Sequence, residues 1–281
     1  MADEHLAGPL IGPVPPPGLH VMTFNVRRRM DGLAWRRADR WRHRAPAVRA
    51  LLRAEQPAIL GTQEAMPGQA DLVRDALGAR YRSLGRGHGP RGTGEGCPLF
   101  YDAERLELVA WEQTALSEHP HEGGSRSWGN LIPRIVVTAR FRDRATGQRF
   151  TALNTHLDPF SPRSRVRSTD ALTAIADRDP TILTGDLNAG AGSRTLRALL
   201  DDGPWQDAWL TAARRVTASV GTFANYRPPR DDRPRIDWIL VTAGIQVERA
   251  AINASRYGGV WPSDHMPVQA VVTMTDAEGA S

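Results

Sequence analysis

The sequence predicts a mixed α/β or α+β domain with more than one layer of secondary structure. Short apolar runs with strand character recur along the chain, and a few amphipathic segments separate them. These runs continue almost to the end of the 281 residues without a polar gap, which favours one large domain over two. The pattern does not determine the order or the pairing of the strands.

The first 18 residues, MADEHLAGPLIGPVPPPG, are rich in proline and glycine. They carry two acids near the start and no basic segment, which argues against a secretory signal. No run in the chain approaches the roughly 18 apolar residues that a membrane helix needs. We therefore expect a flexible leader over 1–18, a domain over 19–275 and a disordered tail over 276–281. The protein is expected to be soluble, cytoplasmic and without a membrane partner, with a monomer as the default state.

Along the domain, strands and helices are predicted in turn. The spacing of Ala38, Trp41, Ala45, Val48 and Leu52 indicates a helix, and further helices are expected over 69–77, 163–176 and 194–200, the last with Ser193 as its N-cap. A glycine-rich stretch, GRGHGPRGTGEG, predicts a mobile surface loop. Strands are predicted at HVMTFNV, AILGTQEA, PLFYD, LELVAWEQTAL, LIPRIVVTARF, RFTALNTHL, TILTGD, RIDWILV, IQVERAAI and MPVQAVVTM.

The charge and cysteine content set limits on function. The 36 basic residues are all arginine, and they exceed the 31 acidic residues to give a net charge of +5. A polyanionic partner such as nucleic acid is one explanation, but a basic set made only of arginine raises the pI by itself. The single cysteine, Cys97, rules out an internal disulfide framework.

Polar side chains stand at the ends of several predicted strands. Each one alone is explained by a turn, a cap or a core hydrogen bond, whereas their joint occurrence favours one site. Oxygen ligands without a histidine or cysteine cluster favour Mg²⁺, with Mn²⁺ as a substitute, over zinc, and Glu64 would suffice as the anchor. The chemistry indicated is phosphoryl hydrolysis by an activated water. The side chains concerned are Asn25, Glu64, His156, Asp186, Asn188, Asp237, Asp264 and His265.

The blocks TFNVR, GTQE, NTHLD, TGDLNA, RIDWILV and SDHMPV occur in this order over residues 20–274. As a set they resemble the signature blocks of the endonuclease/exonuclease/phosphatase superfamily, to which deoxyribonuclease I belongs. GEGCPLFYD and SRSWGNLIPR resemble its bacterial and deadenylase-like branches. The resemblance implies a four-layer sandwich, in which two mainly antiparallel β-sheets pack face to face with helices outside.

The resemblance also implies roles for the metal and the water. Glu64 would be the main metal ligand, with Asn25 and Asp264 near the metal. Asp186 would orient and activate the attacking water, with help from Asn188. The cofactor would be Mg²⁺, for which Mn²⁺ could substitute.

Three more residues receive roles at the phosphate. His265 would contact the scissile phosphate, and Asp237 would hold its ring and favour the charged form. His156 would stabilise the phosphoryl oxygens or assist the leaving group.

Four residues outside the signature blocks are candidates for substrate binding, and each has a second explanation. Arg126 would bind a phosphate or be solvated in its loop. Arg163 and Arg165 would steer a polyanion or form an ordinary solvated helix face. Phe223 would offer an aromatic face to a base or belong to the core.

The substrate predicted from sequence is therefore a phosphate ester, with nucleic acid as the first candidate. The basic balance, the arginines after the histidine block and the aromatic residues favour a nuclease acting on RNA or single-stranded DNA. A small or lipid-derived phosphoester, such as an inositol phosphate or a sphingomyelin-like head group, is the alternative, and it predicts a closed pocket. A binding module without turnover is disfavoured by the complete set of catalytic groups.

Overall fold

A computed structural model describes residues 8–32, 35–176 and 179–275. Short 3₁₀ turns cover Arg37–Asp39 and Pro90–Gly92. The helices are α1 Trp41–Glu55, α2 Pro67–Leu77, α3 Pro162–Ile175, α4 Arg194–Leu200 and α5 Ala208–Thr211. The strands are β1 Leu19–Asn25, β2 Ile59–Gln63, β3 Tyr81–Leu84, β4 Leu99–Asp102, β5 Leu106–Ala115, β6 Ile135–Asp143, β7 Arg149–His156, β8 Thr181–Asp186, β9 Gln206–Asp207, β10 Arg214–Arg215, β11 Asp237–Val241, β12 Ile245–Ile252 and β13 Val268–Met274.

The strands form two sheets. The seven-stranded sheet has the order β10-β12-β13-β1-β2-β4-β3, and the six-stranded sheet has the order β5-β6-β7-β8-β11-β9. Most neighbours are antiparallel, but β1 is parallel to β2, β7 to β8 and β10 to β12. The parallel pairs matter for the site, because the carboxyl ends of two parallel strands meet at one edge of a sheet.

Three apolar clusters lie between the layers and hold them together. One lies between the two sheets and includes Val21, Phe141 and Ile239. A second cluster joins the seven-stranded sheet to α1 and α2, and a third joins the six-stranded sheet to α3 and α4. The order helices, sheet, sheet, helices confirms the predicted four-layer sandwich with two mainly antiparallel sheets.

Alternation along the strands assigns each side chain to a layer. In β8, Ile182 belongs to the cluster between the sheets and Leu183 to the outer cluster under α3. Every second residue after Ile182 therefore faces the gap between the sheets, which places Thr184 and Asp186 there. A register shift of one residue would move Asp186 to the outer side.

The structure differs from the sequence prediction at a few elements. Strand β3 and the short elements β9, β10 and α5 were not predicted, because each is too short to show a clear period. The sixth strand begins at Ile135 and not at Leu131. Pro133 lies in the excluded part, and a proline cannot donate a hydrogen bond to a neighbouring strand.

The structure describes residues 8–18 of the expected leader, and they lie against the domain. The backbone N–H groups of Leu10, Ile11 and Gly12 donate hydrogen bonds to the buried carboxylate of Glu55 at 2.8, 3.2 and 3.0 Å. This part of the leader is therefore attached to the end of α1. Residues 1–7 and the expected tail over 276–281 lie outside the described residues.

In the part of the chain that the structure covers, no helix combines the length and the apolar character that crossing a bilayer requires.

Candidate active site

The six-stranded sheet places three of the predicted side chains side by side. His156 lies opposite Asp186 in the β7–β8 pairing, and Asp186 lies opposite Asp237 in the β8–β11 pairing. Strands β7 and β8 end at this edge, whereas the antiparallel β11 begins there. Alternation turns all three side chains into the gap between the sheets.

The seven-stranded sheet supplies the remaining groups from the facing edge. Asn25 is the last residue of β1, and Glu64 follows directly after β2. Asp264 and His265 lie just before β13, which runs antiparallel to β1. The two sheets therefore bring residues far apart in sequence to one rim of the sandwich.

A layer of buried polar side chains supports this rim. Asn154 accepts hydrogen bonds from Gln63 Nε2 at 2.7 Å and from Thr184 Oγ1 at 3.1 Å. Gln63 Nε2 also donates to Thr23 Oγ1 at 3.1 Å. A Cβ on Gly61 would lie 2.2 Å from Thr184 Oγ1, so only glycine allows the sheets to approach this closely. The layer fixes the spacing of the strands that carry the site.

Glu64 and Asp264 both contact the positive charge of Arg27. Arg27 Nη1 lies 3.6 Å from Glu64 Oε2, and Arg27 Nε lies 3.5 Å from Asp264 Oδ2. Two carboxylates directed at the same point are the oxygen donors that a hard divalent cation prefers. The donor set therefore fits a divalent metal at Glu64 and Asp264.

Asn25 lies beside the predicted metal ligand Glu64. Its Nδ2 donates to Glu64 Oε1 and to Asp186 Oδ2, both at 3.0 Å. Its Oδ1 accepts from the backbone N–H of Arg27 at 2.9 Å. The amide thus joins the predicted metal carboxylate to the predicted base and orients both.

The carboxylate of Glu64 is held in its ionised form. Burial would raise its pKa, but His156, the backbone N–H of Arg28 and the amide of Asn25 lower the pKa to about 2. The N–H of Arg28 donates to Glu64 Oε2 at 3.0 Å. Glu64 itself has φ 58°, a left-handed conformation that is uncommon for a residue with a Cβ. Strain of this kind is found where the surrounding structure fixes a functional side chain.

Asp237 and His265 form a buried pair. His265 Nδ1 lies 2.9 Å from Asp237 Oδ2, and both side chains are at most 7% exposed. Burial would lower the pKa of His265, but Asp237 and Asp186 raise it well above its ordinary value. The imidazole is therefore charged at neutral pH, and Nε2 remains as its second donor.

Asp186 is oriented from two sides. Its Oδ2 accepts from Asn25, and its Oδ1 accepts from the backbone N–H of Asn188 at 2.9 Å. Burial and the neighbouring Asp237 raise the pKa of Asp186. A carboxylate with a raised pKa is a stronger proton acceptor, which suits the predicted activation of water.

Asn188 also fixes His156. Its Nδ2 lies 3.0 Å from His156 Nε2 and donates to the carbonyl oxygen of Leu157 at 2.9 Å. An amide nitrogen is only a donor, so Nε2 accepts and the ring proton is on Nδ1. Burial lowers the pKa of His156.

Ligand atoms of Asp186, Asp237 and His265 lie within 4.8 Å of one another, which is a second possible grouping for a metal. Two of these atoms, however, already share the hydrogen bond between Asp237 and His265. A nitrogen that carries a proton cannot ligate a cation. The cation position expected at Glu64 and Asp264 does not require a protonated nitrogen as a ligand.

A cavity of about 660 Å³ opens over these groups. Three arginines line it, Arg27, Arg28 and Arg134, and Phe223 forms part of its wall, as the sequence suggested. Of the eight signature residues, the cavity exposes Glu64, His156, Asp186, Asn188, Asp264 and His265, whereas Asn25 and Asp237 lie behind them.

The other predicted substrate-binding arginines do not line this cavity. Arg126 is exposed and donates to the carbonyl oxygen of Leu131. Arg165 donates to the carbonyl oxygens of Asp158 and Pro159, and Arg163 is exposed on the same helix. Their expected role at the substrate has no support from this geometry.

Sequence reasoning missed the arginines that do line the cavity. Arg27 ends the first signature block and Arg28 follows it, but neither received a role from the sequence, and Arg134 was assigned to a strand. The proline just before Arg134 was the available signal, because it excludes residues 131–133 from the strand and leaves the arginine directly before β6.

The chain matches the model of the endonuclease/exonuclease/phosphatase family over residues 22–265. A family protein of known structure from Bacteroides thetaiotaomicron shares 28% identity with a TM-score of 0.85, covering 94% of this chain and 100% of that one. A second, from Bacteroides vulgatus, shares 30% identity with a TM-score of 0.83, covering 92% and 99%. A mannosyl-6-phosphatase from B. thetaiotaomicron shares 27% identity with a TM-score of 0.82, covering 91% and 100%. No curated protein sequence matches the chain.

A sandwich of this topology, with converging carboxylates and two histidines at one rim, defines a metal-dependent phosphoester hydrolase. The chain belongs to the endonuclease/exonuclease/phosphatase family, which confirms the resemblance seen in the sequence.

Proposed function

We propose that this enzyme is a Mg²⁺-dependent phosphatase that removes phosphate from a small organic monoester such as a sugar phosphate. The observation that carries the proposal is the lining of the cavity. Its positive charges are gathered at one place, at Arg27, Arg28 and Arg134, and the exposed arginines of α3 are not part of it. A compact group of positive charges suits a small phosphate ester, whereas a nuclease requires a basic groove that continues along the surface.

The similarity to a mannosyl-6-phosphatase supports the same substrate class. That protein is 27% identical over 91% of this chain, and the alignment covers all of its own chain. A sugar phosphate is also compatible with a cavity of about 660 Å³, which lies in the usual range for small-molecule sites.

The residues of the site suit hydrolysis by water. A divalent cation at Glu64 and Asp264 would neutralise charge on the phosphoryl oxygens. Asp186, oriented by Asn25 and Asn188, would take the proton from the attacking water. The charged His265, held by Asp237, would donate a hydrogen bond from Nε2 to a phosphoryl oxygen.

A nuclease remains the second candidate because of two aromatic side chains at the mouth of the cavity. Phe160 is 78% exposed and Phe223 is 46% exposed, and both line the cavity. Exposed aromatic rings can stack on the bases of single-stranded nucleic acid. They can also cover the apolar face of a sugar ring, so they do not by themselves favour a nuclease.

A substrate panel separates the candidates. The purified protein is incubated with Mg²⁺, and in parallel with excess chelator, against hexose phosphates, inositol phosphates, sphingomyelin, single-stranded RNA and single-stranded DNA. We expect phosphate release from sugar phosphates that the chelator abolishes and Mn²⁺ restores.

Cleavage confined to nucleic acid would overturn the phosphatase proposal. In that case Phe160→Ala should lower cleavage strongly, and Arg163→Gln should weaken binding if the arginines of α3 guide the strand. Release from sugar phosphates that is unaffected by Arg163→Gln would support the phosphatase proposal.

A further inference from the structure

Arg134 is a buried arginine with most of its hydrogen-bonding capacity unused. The residue is 4% exposed, and it lines the cavity beside His156 and Glu95. Its Nε donates to Asp158 Oδ2 at 3.3 Å. Within residues 8–32, 35–176 and 179–275, no side chain or carbonyl accepts a hydrogen bond from its two terminal nitrogens.

The two other arginines of the cavity are directed at acidic groups of the same cavity. Arg27 lies against Glu64 and Asp264, and Arg28 Nη1 lies 3.6 Å from Glu95 Oε2. Arg134 differs because its partner Asp158 stands outside the cavity lining. Its terminal N–H groups are therefore the positive edge that the cavity offers to an anion.

Asp158 is fixed independently of Arg134. Its Oδ1 accepts from the backbone N–H groups of Phe160 at 2.9 Å and Ser161 at 2.7 Å. Its carbonyl oxygen accepts from Arg165 Nη1 at 2.7 Å. A carboxylate held in this way sets the plane of the guanidinium that bonds to it.

We infer that Arg134 binds the phosphoryl group of the substrate through its terminal nitrogens, and that Asp158 positions it, so that the pair selects a phosphate monoester over a diester. The inference rests on the proposed phosphatase function. A monoester carries close to two negative charges at neutral pH, because its second pKa is about 6, whereas a diester carries one. A guanidinium that bridges two terminal oxygens leaves the third oxygen of a monoester for the cation and His265, whereas a diester has only two terminal oxygens in all.

The inference is tested with p-nitrophenyl phosphate and bis-p-nitrophenyl phosphate, which share a leaving group and differ in charge. Arg134→Gln should lower kcat/KM for the monoester by about 10- to 100-fold, the effect of losing a charged hydrogen-bonding pair, and lower it for the diester much less. Arg134→Lys should recover part of the loss, because lysine keeps the charge without the planar pair of donors. Arg142→Gln, an exposed arginine of β6, serves as the control and should change neither rate.

Asp158→Asn tests the positioning role. Asparagine keeps an oxygen for the N–H groups of Phe160 and Ser161 but loses the charge that orients Arg134. We expect KM for the monoester to rise while kcat of the folded protein changes little, and the melting temperature should fall because a buried ion pair is broken. A fall in kcat equal for both esters would indicate general structural damage and would contradict the positioning role.

Calorimetric binding of inorganic phosphate in the presence of Mg²⁺ gives a readout that does not depend on turnover. The wild type should bind phosphate about tenfold or more tightly than Arg134→Gln, again the effect of one charged pair. Equal binding, or equal loss of both ester activities, would overturn the inference. A wild type that binds phosphate through Arg134 but hydrolyses neither ester would instead contradict the proposed function. If Arg134→Gln does not fold, Arg134→Lys and Asp158→Asn decide the matter by the same two measurements.

Discussion

Two glutamates on either side of β2, the buried Glu55 and the partly exposed Glu64, differ in how completely their carboxylates are satisfied. Glu55 ends α1 and accepts four hydrogen bonds, from the N–H groups of residues 10–12 and from Asn253 Nδ2 at 3.0 Å. Glu64 follows β2 and accepts two short ones, from Asn25 and from the N–H of Arg28, while facing a cavity.

The difference shows how the same residue type serves structure in one place and chemistry in another. A buried carboxylate surrounded by fixed donors stabilises the fold, because its charge is fully compensated. A carboxylate with unused oxygen lone pairs and a cavity beside it keeps capacity for a ligand. We therefore predict that a mutation of Glu55 mainly lowers stability, whereas a mutation of Glu64 mainly lowers activity.

Among the variants of the active site, Asp186→Asn is expected to have the largest effect on kcat. The amide keeps the size of the side chain but cannot accept the proton of water, so kcat should fall by about 100- to 10,000-fold. The melting temperature should fall less than in the Glu55 variant, because removing the repulsion between Asp186 and Asp237 offsets the contact of the new amide nitrogen with the donors of Asn25 and Asn188. Steady-state kinetics with a thermal melt measure both, and a near-normal kcat would refute the assignment of Asp186 as the base.

Glu64→Gln should raise the Mg²⁺ concentration needed for half-maximal activity by about 100-fold or more, because the variant loses a charged metal ligand. Loss of a residue that only orients a ligand would have a smaller effect. The rate is measured over a range of Mg²⁺ concentrations, where excess cation should restore part of the activity. Glu104→Gln, in an exposed turn, is the matched control. An unchanged Mg²⁺ dependence would move the cation site away from Glu64.

Glu55→Gln should have the opposite profile. Its Nε2 would face backbone donors in place of an acceptor, and the free energy of unfolding should drop by about 3 kcal/mol, as for other broken buried charges. Urea unfolding measures this loss, while kcat of the folded fraction and its Mg²⁺ dependence should stay as in the wild type. A loss of Mg²⁺ affinity without a loss of stability would abolish the contrast between the two glutamates.

The buried His20 makes the stability of the region around Glu55 depend on pH. Burial lowers the pKa of His20 to about 4, although Glu55 and the carbonyl oxygen of Gly12 raise it in part. The unfolded chain takes up a proton near pH 6.5 and the folded one does not, so stability falls as the pH drops from about 6.5 towards 4. Between pH 7 and pH 5 the loss should be about 2 kcal/mol.

His20→Asn keeps a donor near the position of Nδ1, which contacts Gly12 at 2.9 Å, and removes the titration. Urea unfolding at the two pH values should therefore show a smaller pH dependence for this variant. The same slope in both proteins would assign the acid sensitivity to other groups.

Much of this protein was determined by the local sequence. The buried strands, the amphipathic α1 and the N-cap Ser193 follow from periodicity and capping, which depend on neighbours in the chain. The signature residues were found because each stands at a strand end, where a polar side chain interrupts an apolar run.

Only the tertiary structure determined which residues of the site contact one another. It showed that Asn25 joins Glu64 to Asp186, and that the arginines lining the cavity are Arg27, Arg28 and Arg134 and not those of α3. It also bound residues 10–12 to Glu55, although their composition predicted a free leader. The physical reason is that burial and pairing depend on which strands become neighbours. Strands β1, β8 and β11 meet across more than two hundred residues of chain, and no local pattern carries information over that distance.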